Sequence, residues 1–311
     1  MIGPVSGAVG PGAAPAVAAV VTAFDPGPSL TTVVASVLGQ VAAVVVVDDG
    51  STSAAAERAL DACAALGCTL IRHGANRGVA AALNSGVAQV ISAHTELTDV
   101  LTLDQDSVVP AGYVRAALAA RESAQRAGLH VAMVAPEHVA GLPSRIRSER
   151  GDTLVGDEPI QSGLLVAVDV LRSVGPFDES LFIDGVDSDF YLRCLDTGRL
   201  VVLARGTALG HRLGGGHPVR LLGRPLLRRG VPVELTHARP FRYYFLSRNR
   251  IALAREHGRR HPRWAAGQLL GLARHLVLVL ALVPGRGERA RWVLRGIRDG
   301  LRGVGGPAPR T

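Results

Sequence analysis

The amino-acid sequence predicts an α/β fold in which a mostly parallel central sheet is flanked by helices. Two observations support this prediction. In the first half of the chain, short runs rich in valine alternate with longer segments of helical periodicity. Three of these runs end in polar clusters, as is typical of parallel strands whose carboxyl ends gather around a ligand.

We expect strands at AVAAVVTAF, AAVVVVDDGS, CTLIRHG and DVLTLDQDS. Helices are expected between and after them at SLTTVVASVLG, SAAAERALDACAALG, GVAAALNSGVAQVISAH and AGYVRAALAARESAQRAG. Successive strands separated by helices have room for crossover connections, so the strands should run parallel. Four consecutive valines in the second strand indicate that both of its faces are buried.

Composition fits one sizeable domain with an appendage. The chain has 311 residues and is 48% hydrophobic, which excludes disorder of the whole. Cys63, Cys68 and Cys194 lack metal-ligand spacing, and an odd number of thiols favours a reducing compartment. The first fifteen residues have neither a basic start nor a continuous apolar core, so we expect a disordered tail and a cytoplasmic protein.

The net charge of +8 conceals two electrostatic halves. Up to Arg220 there are 15 arginines and 22 acids, a net charge of −7, whereas the remainder has 19 arginines and 4 acids, a net charge of +15. The basic half contains no zinc-finger spacing or RNP-like motif, so we predict no nucleic-acid partner.

The segment LTLDQDS places Asp104 and Asp106 at the end of an apolar run. Residues i and i+2 of an extended segment point the same way, so both carboxylates could face one divalent cation. The alternative is a helix start, in which Ser107 caps the following helix and Pro110 lies near its first turn.

The segment VVVVDDGST ends a buried strand with Asp48 and Asp49, which repel each other unless a polar or cationic group meets them. Alternatively, Asp49 or Ser51 caps the next helix. No GxGxxG follows the first strand, which disfavours a dinucleotide. A mononucleotide whose base or ribose donates hydrogen bonds to these acids fits better.

Together the motifs resemble family 2 glycosyltransferases of the GT-A fold. They are, in order, VVTAFDP, VVVVDDGST, NRGVAAALNSG, LTLDQDS, the run from PIQSGLLVAVDVL to FIDGVDSDFYLR, and ALGHRLGG. LDQDS, FIDGVDSDFYLR, HRLGG and RYYFLSRNR are most similar to bacterial rhamnosyltransferases. The resemblance implies a GT-A catalytic domain over 16–220, after a tail over 1–15, and a basic helical region over 221–311.

The resemblance also implies which residues bind the donor. Asp104 and Asp106 resemble the DxD pair that holds Mg²⁺ or Mn²⁺, with Asp106 the more direct ligand, and His211 resembles a third ligand. A lone histidine before a glycine-rich loop is otherwise an ordinary polar loop residue. The residues implied for nucleotide-sugar binding are Thr22, Phe24, Asp48, Asp49, Arg77, Asp104 and Gln105.

A second acidic cluster, FIDGVDSDFYLR, resembles the segment that supplies the general base of related enzymes. Asp187 falls at the position of that base, where a helix N-terminus would favour its ionised form. Alternatively, Asp187 or Ser188 is only a helix cap, and Asp189 is a first-turn acid that can pair with Arg193. The residues implied for the acceptor side are Ser162, Gly163, Asp184 and Asp189.

In the basic half, residues 268–284 (QLLGLARHLVLVLALVP) are apolar but contain Arg274 and His275. The uninterrupted part is short for a transmembrane helix, so we predict an interfacial helix on an anionic membrane surface. The alternative is a core helix that packs on the catalytic domain. Basic residues here would also suit an acceptor that bears a lipid-linked diphosphate.

The predicted function is that of an inverting, metal-dependent glycosyltransferase, with dTDP-L-rhamnose as the expected donor. The expected acceptor is a cell-surface glycan precursor or a polyprenyl-diphosphate-linked sugar, and the enzyme would be cytoplasmic and peripheral on the inner face of the membrane. A sugar-phosphate nucleotidyltransferase would need an early glycine-rich basic loop, which does not follow the first strand. A non-enzymatic, membrane-attached binding protein is the other alternative.

Overall fold

The structure, a computed structural model, describes residues 16–210 and 234–309 and short strand segments between them. The strands of the main sheet are β1 Val17–Ala23, β2 Ala43–Asp48, β3 Thr69–Arg72, β4 Asp99–Asp104, β5 Val131–Val139, β6 Leu142–Pro143, β7 Ile146–Arg150, β8 Thr153–Gly156, β9 Leu164–Ala167 and β10 Leu200–Leu209. The helices are α1 Ser29–Val37, α2 Ala54–Ala65, α3 Val79–Ala93, α4 Tyr113–Arg126, α5 Val168–Val174, α6 Val186–Asp196, α7 Arg242–His257, α8 Pro262–Leu282 and α9 Arg286–Arg302. The predicted tail over 1–15 lies outside the described residues.

The sheet has the strand order β3-β2-β1-β4-β9-β5-β10-β8-β7, with β6 paired to β5. The four predicted strands are β1 to β4, and they pair in parallel, which confirms the prediction for this half. In the register, Thr22 lies opposite Asp104 and Ala23 lies opposite Asp48. The carboxyl ends of β1, β2 and β4 therefore meet at one edge of the sheet.

Both faces of the sheet are covered because side chains alternate along each strand. Ala18 and Val20 of β1 pack in the core under α3 and α6, whereas Ala19 and Val21 pack in the opposite core under α1, α2 and α4. The valine run of β2 contributes to both cores in the same way. Strands buried on both sides explain why the sequence shows continuous apolar runs.

The second half of the sheet is mixed. Strand β9 runs antiparallel between β4 and β5, and β8 and β7 extend the sheet antiparallel beyond β10. Strands β5 and β10 are parallel to each other. The insertion of β9 beside β4 places the segment before it, which contains Ser162 and Gly163, next to Asp104.

Helix α7 connects the C-terminal helices to the part of the chain that forms the main sheet. Arg248 is 1% exposed, and its Nη2 donates to the carbonyls of Ser180 and Leu181 at 3.0 and 2.8 Å. The Asn249 amide donates to the carbonyls of Leu181, Ile183 and Asp184. These contacts hold the loop that leads into α6, so α7 packs against the part of the chain that forms the main sheet and stabilises it.

The helices are not capped by the residues that the sequence offered as alternative caps. Ser53 caps α2 by accepting from the N–H of Ala56 at 3.2 Å, so neither Asp49 nor Ser51 is that cap. Helix α4 begins at Tyr113 after Gly112, well beyond Ser107. The N-cap of α6 is Gly185. The acids that end β2 and β4 are therefore not the N-caps of α2 and α4.

Candidate active site

A cavity of about 780 Å³ lies at the carboxyl ends of β1 and β4, between the loop before β9, the start of α6 and helices α7 and α8. It is lined by Thr22, Ala23, Phe24, Asp49, Asn76, Gly78, Val79, Ala82, Asp104, Gln105, Asp106, Arg145, Glu158, Pro159, Ile160, Gln161, Phe182, Ile183, Asp184, Gly185, Val186, Asp187, Ser188, Arg242, Leu246, Arg250 and Gln268. Six of these side chains are carboxylates and three are guanidinium groups, so the lining has an excess of negative charge.

Asp104 and Asp106 both line the cavity, but strand alternation is not the reason. Strand β4 ends at Asp104, and Gln105 and Asp106 form a turn in which the N–H of Ser107 donates to the Asp104 carbonyl at 3.2 Å. The expectation that both carboxylates project from one extended segment is wrong in this respect. The turn brings Asp106 to the same cavity by a different route.

The charge on Asp104 is unfavourable in this setting. Burial raises the pKa of its carboxyl to about 7, and the carboxylates of Asp106 and Asp187 add to the rise, while Arg242 opposes it. Carboxylates held together in a poorly solvated place need a cation to remain ionised together. Their oxygen atoms are the ligands that Mg²⁺ and Mn²⁺ prefer.

Asp48 and Asp49 have different roles at the end of β2. The Asp48 carboxylate accepts from the N–H and hydroxyl of Ser51 and does not line the cavity. Asp49 lines the cavity and also accepts from the N–H groups of Arg77 at 2.9 Å and Gly78 at 2.7 Å. Asp49 therefore shapes the loop before α3.

Gly78 is required where that loop passes the loop before α6. Its φ of +94° lies in the left-handed region, and a Cβ added there would lie 2.5 Å from the carbonyl oxygen of Phe182. The Arg77 guanidinium, which was predicted to bind the nucleotide sugar, does not line the cavity. It lies 3.3 Å from Glu179 and is exposed.

Gln105 joins the ends of β4 and β1 because its Oε1 accepts from the N–H of Phe24 at 2.7 Å. The Phe24 side chain is 46% exposed at the cavity, and Thr22 lies beside it in a buried position. The structure thus brings Thr22, Phe24 and Gln105 together, as predicted. An exposed aromatic ring at this edge offers a face on which a nucleobase can stack.

Ser162 and Gly163 support the site from beneath. The Ser162 hydroxyl accepts from the N–H of Asp104 at 2.9 Å, and the Gly163 carbonyl accepts from the Tyr113 hydroxyl. Neither residue lines the cavity, whereas the neighbouring Gln161 does. Ser162 therefore positions Asp104 from beneath, and the acceptor-side role of Ser162 and Gly163 stays a prediction.

Asp187 lies in the first turn of α6 and lines the cavity. Burial raises the pKa of its carboxyl to about 6; the N–H of Ser188, at 2.9 Å, opposes the rise, and Glu158 and Asp184 add to it. The expected effect of the helix N-terminus is thus outweighed by burial. A carboxylate with a pKa near 6 is suited to accept a proton near neutral pH.

Asp184 lines the cavity in a left-handed conformation with a φ of +64°. Arg242, the first residue of α7, holds its carboxylate with two hydrogen bonds of 2.9 and 3.0 Å. Arg242 and Arg250 both line the cavity, and the sequence prediction missed both. The eight-residue spacing of two arginines in RYYFLSRNR was the available signal, because such residues share a helix face.

Glu158 was also missed. Its carboxylate accepts from the hydroxyl of Ser188 at 2.7 Å and from the amide of Gln268 at 2.6 Å. It thereby connects the start of α6 to α8. Neither its own segment nor the distant Gln268 carries a local pattern that would have indicated this contact.

Asp189 does not line the main cavity, although an acceptor-side position was predicted for it. Its carboxylate lies 2.8 Å from Arg193 and 2.9 Å from Nε2 of His257, and all but 2% of the side chain is buried. The predicted pairing with Arg193 is confirmed. Asp189 instead borders a second cavity on the other side of α6, lined also by Glu179 and Glu256. His211 lies outside the described residues.

Residues 18–148 match the family model for glycosyl transferase family 2. The chain is also similar to dTDP-rhamnosyl transferase RfbF of Shigella flexneri, with 27% identity over 250 residues, which cover 76% of this chain and 79% of RfbF. These similarities support the predicted resemblance to family 2 glycosyltransferases over this part of the chain.

The fold is similar to that of S. aureus TarS, residues 1–349, in complex with UDP-GlcNAc. The TM-score is 0.50 at 12% identity, over 93% of this chain and 73% of that chain. In a structure of S. aureus TarS with a longer chain, the similarity covers 91% of this chain and 43% of TarS, with a TM-score of 0.49 and 13% identity. The first of these similarities confirms the predicted GT-A fold.

Proposed function

We propose that the protein is an inverting glycosyltransferase that uses a nucleotide-diphosphate sugar, because residues 18–148 match the family model for glycosyl transferase family 2. The observation that supports this proposal most directly is the arrangement of Asp104, Asp106 and Asp187 around one cavity. The first two suit a diphosphate-bound cation, and the third suits a base for the acceptor.

We propose L-rhamnose from dTDP-rhamnose as the donor, because the similar Shigella flexneri protein is a dTDP-rhamnosyl transferase. Phe24 would contact the base, and Thr22, Asp49 and Gln105 would orient the nucleotide. All four line the cavity. Asp48 and Arg77 would act indirectly, through the loops that they stabilise.

A divalent cation fits the donor set. We assign Asp104 and Asp106 as its ligands and propose His211 as a third, with Mg²⁺ or Mn²⁺ as the ion. The raised pKa of Asp104 supports the assignment, since a nearby cation would favour its ionised form. When bound, such a cation neutralises negative charge on the diphosphate.

Asp187 would accept the proton of the acceptor hydroxyl. The acceptor oxygen then forms a bond to the anomeric carbon as the bond from that carbon to the diphosphate oxygen breaks. The bonding electrons leave with the diphosphate, and the configuration at the anomeric carbon inverts. Arg242 and Arg250 lie at the same cavity and would favour the anionic substrate.

The proposed acceptor is a cell-surface glycan precursor or a polyprenyl-diphosphate-linked sugar. We place the enzyme in the cytoplasm, peripherally attached to the inner face of an anionic membrane. Helix α8 supports this placement, because it is apolar and only 11% of its apolar window is buried, so its outer side is open to a membrane surface. That exposure does not favour the core-helix alternative.

A thermal-shift panel of nucleotide sugars with Mn²⁺ or Mg²⁺ tests the donor. A cognate donor at about 100 times its dissociation constant should stabilise the protein by about 2.7 kcal/mol. We expect dTDP-rhamnose to give the largest shift and to be hydrolysed slowly by the wild type but not by Asp106→Ala. An equal response to UDP-GlcNAc would contradict the donor assignment, and absence of hydrolysis with every donor would contradict the enzymatic function.

A further inference from the structure

Helix α8 has an outward apolar stripe and an inward face directed at the cavity. The stripe consists of Ala266, Leu270, Ala273, Val277 and Ala281, which recur every three or four residues and are all exposed. Leu270 and Val277 are 73% and 67% exposed. Leucine and valine side chains that are mostly exposed along one helix face leave an apolar surface in contact with water.

The inward face carries the packed residues of α8 and one polar residue of the cavity wall, whereas Arg263 and Arg274 are exposed on the outward side. Gln268 lines the cavity and donates to Glu158, and Ala265 and Val279 are buried. Val277 lies nine residues after Gln268, which at about 100° per residue places it on the opposite side of the helix. The stripe therefore faces away from the cavity wall that the same helix forms.

The charges around this helix are strongly asymmetric. Among the described residues from 259 to 309, the exposed acid is Glu288, since Asp299 is buried. The exposed arginines of the same region are Arg259, Arg260, Arg263, Arg274, Arg286, Arg291, Arg295, Arg298 and Arg302. A helix that has an exposed apolar stripe and is surrounded by exposed arginines is complementary to an anionic lipid surface.

We propose that the stripe docks α8 in the plane of an anionic membrane, with the active-site cavity behind the helix. A spanning arrangement is disfavoured because Gln268 and Glu158 are joined in the cavity wall, and lipid would have to surround Arg274 as well. The lipid and the cavity wall are then separated by the thickness of one helix, which is about 10 Å.

The distance of about one helix between lipid and cavity wall indicates which acceptor fits the site. This step rests on the proposed function. An acceptor whose reactive hydroxyl lies in a headgroup, roughly one helix diameter above the acyl chains, could reach Asp187 while its lipid remains in the membrane. The chemical class of acceptor that fits is a sugar on a lipid-linked diphosphate. Membrane docking itself does not depend on the identity of the donor.

Vesicle binding of the full chain tests the docking surface. We expect the wild type to float with phosphatidylcholine vesicles that contain phosphatidylglycerol, less with phosphatidylcholine alone, and less at high salt. The double variant Leu270→Gln with Val277→Gln should bind at least about tenfold more weakly, because it removes two apolar side chains from the interface. The matched control is Leu142→Gln with Ile146→Gln, exposed apolar residues on β6 and β7, which should bind as the wild type does.

The proposal is wrong if the wild type does not bind the vesicles. It is also wrong if the Leu270→Gln, Val277→Gln variant binds them as strongly as the wild type does. A dimer that this variant converts to monomer, without vesicle binding by either form, would identify a second copy as the occupant instead. Resistance of membrane-bound protein to alkaline carbonate would indicate a spanning helix. Donor hydrolysis should be equal in the variant and the wild type, so its absence in both would contradict the proposed function without affecting the docking result.

Discussion

Arg242 holds the carboxylate of Asp184 in a bidentate contact, with Nε 3.0 Å from Oδ2 and Nη2 2.9 Å from Oδ1. The pair joins the first residue of α7 to the loop that leads into α6 and Asp187. Since Asp184 has a φ of +64°, this contact holds a backbone conformation that most residues avoid. The C-terminal helices therefore help to place the proposed base.

Arg242→Leu should impair turnover more than stability. The guanidinium is partly exposed, so we expect the unfolding free energy to fall by only about 1 kcal/mol. Displacement of the loop before α6 should lower turnover by a factor on the order of 10 to 100. Arg239→Leu, an exposed position three residues earlier, is the control, and equal turnover in the two variants would contradict a positioning role for Arg242.

Asp187→Asn should abolish most turnover while donor binding is retained. A general base acts in the transition state, so we expect a loss on the order of 10² to 10⁴ in turnover with nearly unchanged donor affinity. Steady-state kinetics and calorimetric donor titration measure the two quantities separately. If Asp187→Asn kept near-normal turnover while Asp184→Asn lost it, the assignment of Asp187 as the base would be wrong.

The pH dependence of the wild type should report the same group. Because Asp187 must be ionised to accept a proton and its pKa is raised to about 6, turnover should rise as pH increases through about 6. The raised pKa also means that the ionised carboxyl destabilises the fold above that pH. We therefore expect Asp187→Asn to leave stability at neutral pH unchanged or to increase it.

Asp189→Asn, unlike Asp187→Asn, should lower the stability of the protein. Although burial acts to raise the pKa of Asp189, hydrogen bonding to His257 and the charge of Arg193 hold it below its usual value. A lowered pKa contributes stability above the pKa of the unfolded state, which is lost as pH falls through the folded value. Removal of this buried partner should cost about 3 kcal/mol in urea unfolding. A neutral effect on stability combined with lost turnover would indicate a role in the reaction instead.

Removal of divalent metal should weaken donor binding. With EDTA, we expect calorimetric affinity for the nucleotide sugar to fall by at least about tenfold relative to Mn²⁺, because the diphosphate would face the carboxylates of the cavity without a cation. Asp106→Ala should show little difference between the two conditions. Equal wild-type affinity with EDTA and Mn²⁺ would contradict the assignment of Asp104 and Asp106 as ligands.

Gly78→Ala should destabilise the loop between β3 and α3. The added Cβ meets the backbone of Phe182 at 2.5 Å, and the left-handed φ adds strain, so we expect a loss of about 1 to 3 kcal/mol in unfolding free energy. Gly74→Ala in the same loop has open space around its Cβ and is the control. Equal stability of the two variants would show that the loop can shift without cost.

Much of the nucleotide half was predictable from local patterns. The valine-rich runs specify β1 to β4 because a strand buried on both faces needs continuous apolar residues, and the helices between them require parallel pairing. Parallel pairing also aligns the strand ends, so Asp49 and Asp104 were expected at one edge of the sheet. Thr22 and Phe24, which line the same cavity, were implied only by the resemblance to family 2 glycosyltransferases.

Only the tertiary structure decided the rest of the cavity. Glu158, Arg242 and Gln268 come from three distant segments, and their convergence depends on how α7 and α8 pack on the sheet. Local sequence also could not separate Asp187 from Asp189, since both lie in one helical turn. Their roles diverge because one side of α6 faces the cavity, whereas the other places Asp189 against Arg193 and His257.

The sequence by itself determined the parallel half of the sheet and the acids at its edge, because these follow from residue order and the periodicity of buried strands. Packing decided which of those acids face the cavity, which ones stabilise loops and which face of α8 remains exposed. Side-chain direction and burial depend on contacts between segments far apart in the chain. Those contacts raise the pKa of Asp187 and lower that of Asp189 within the same helix.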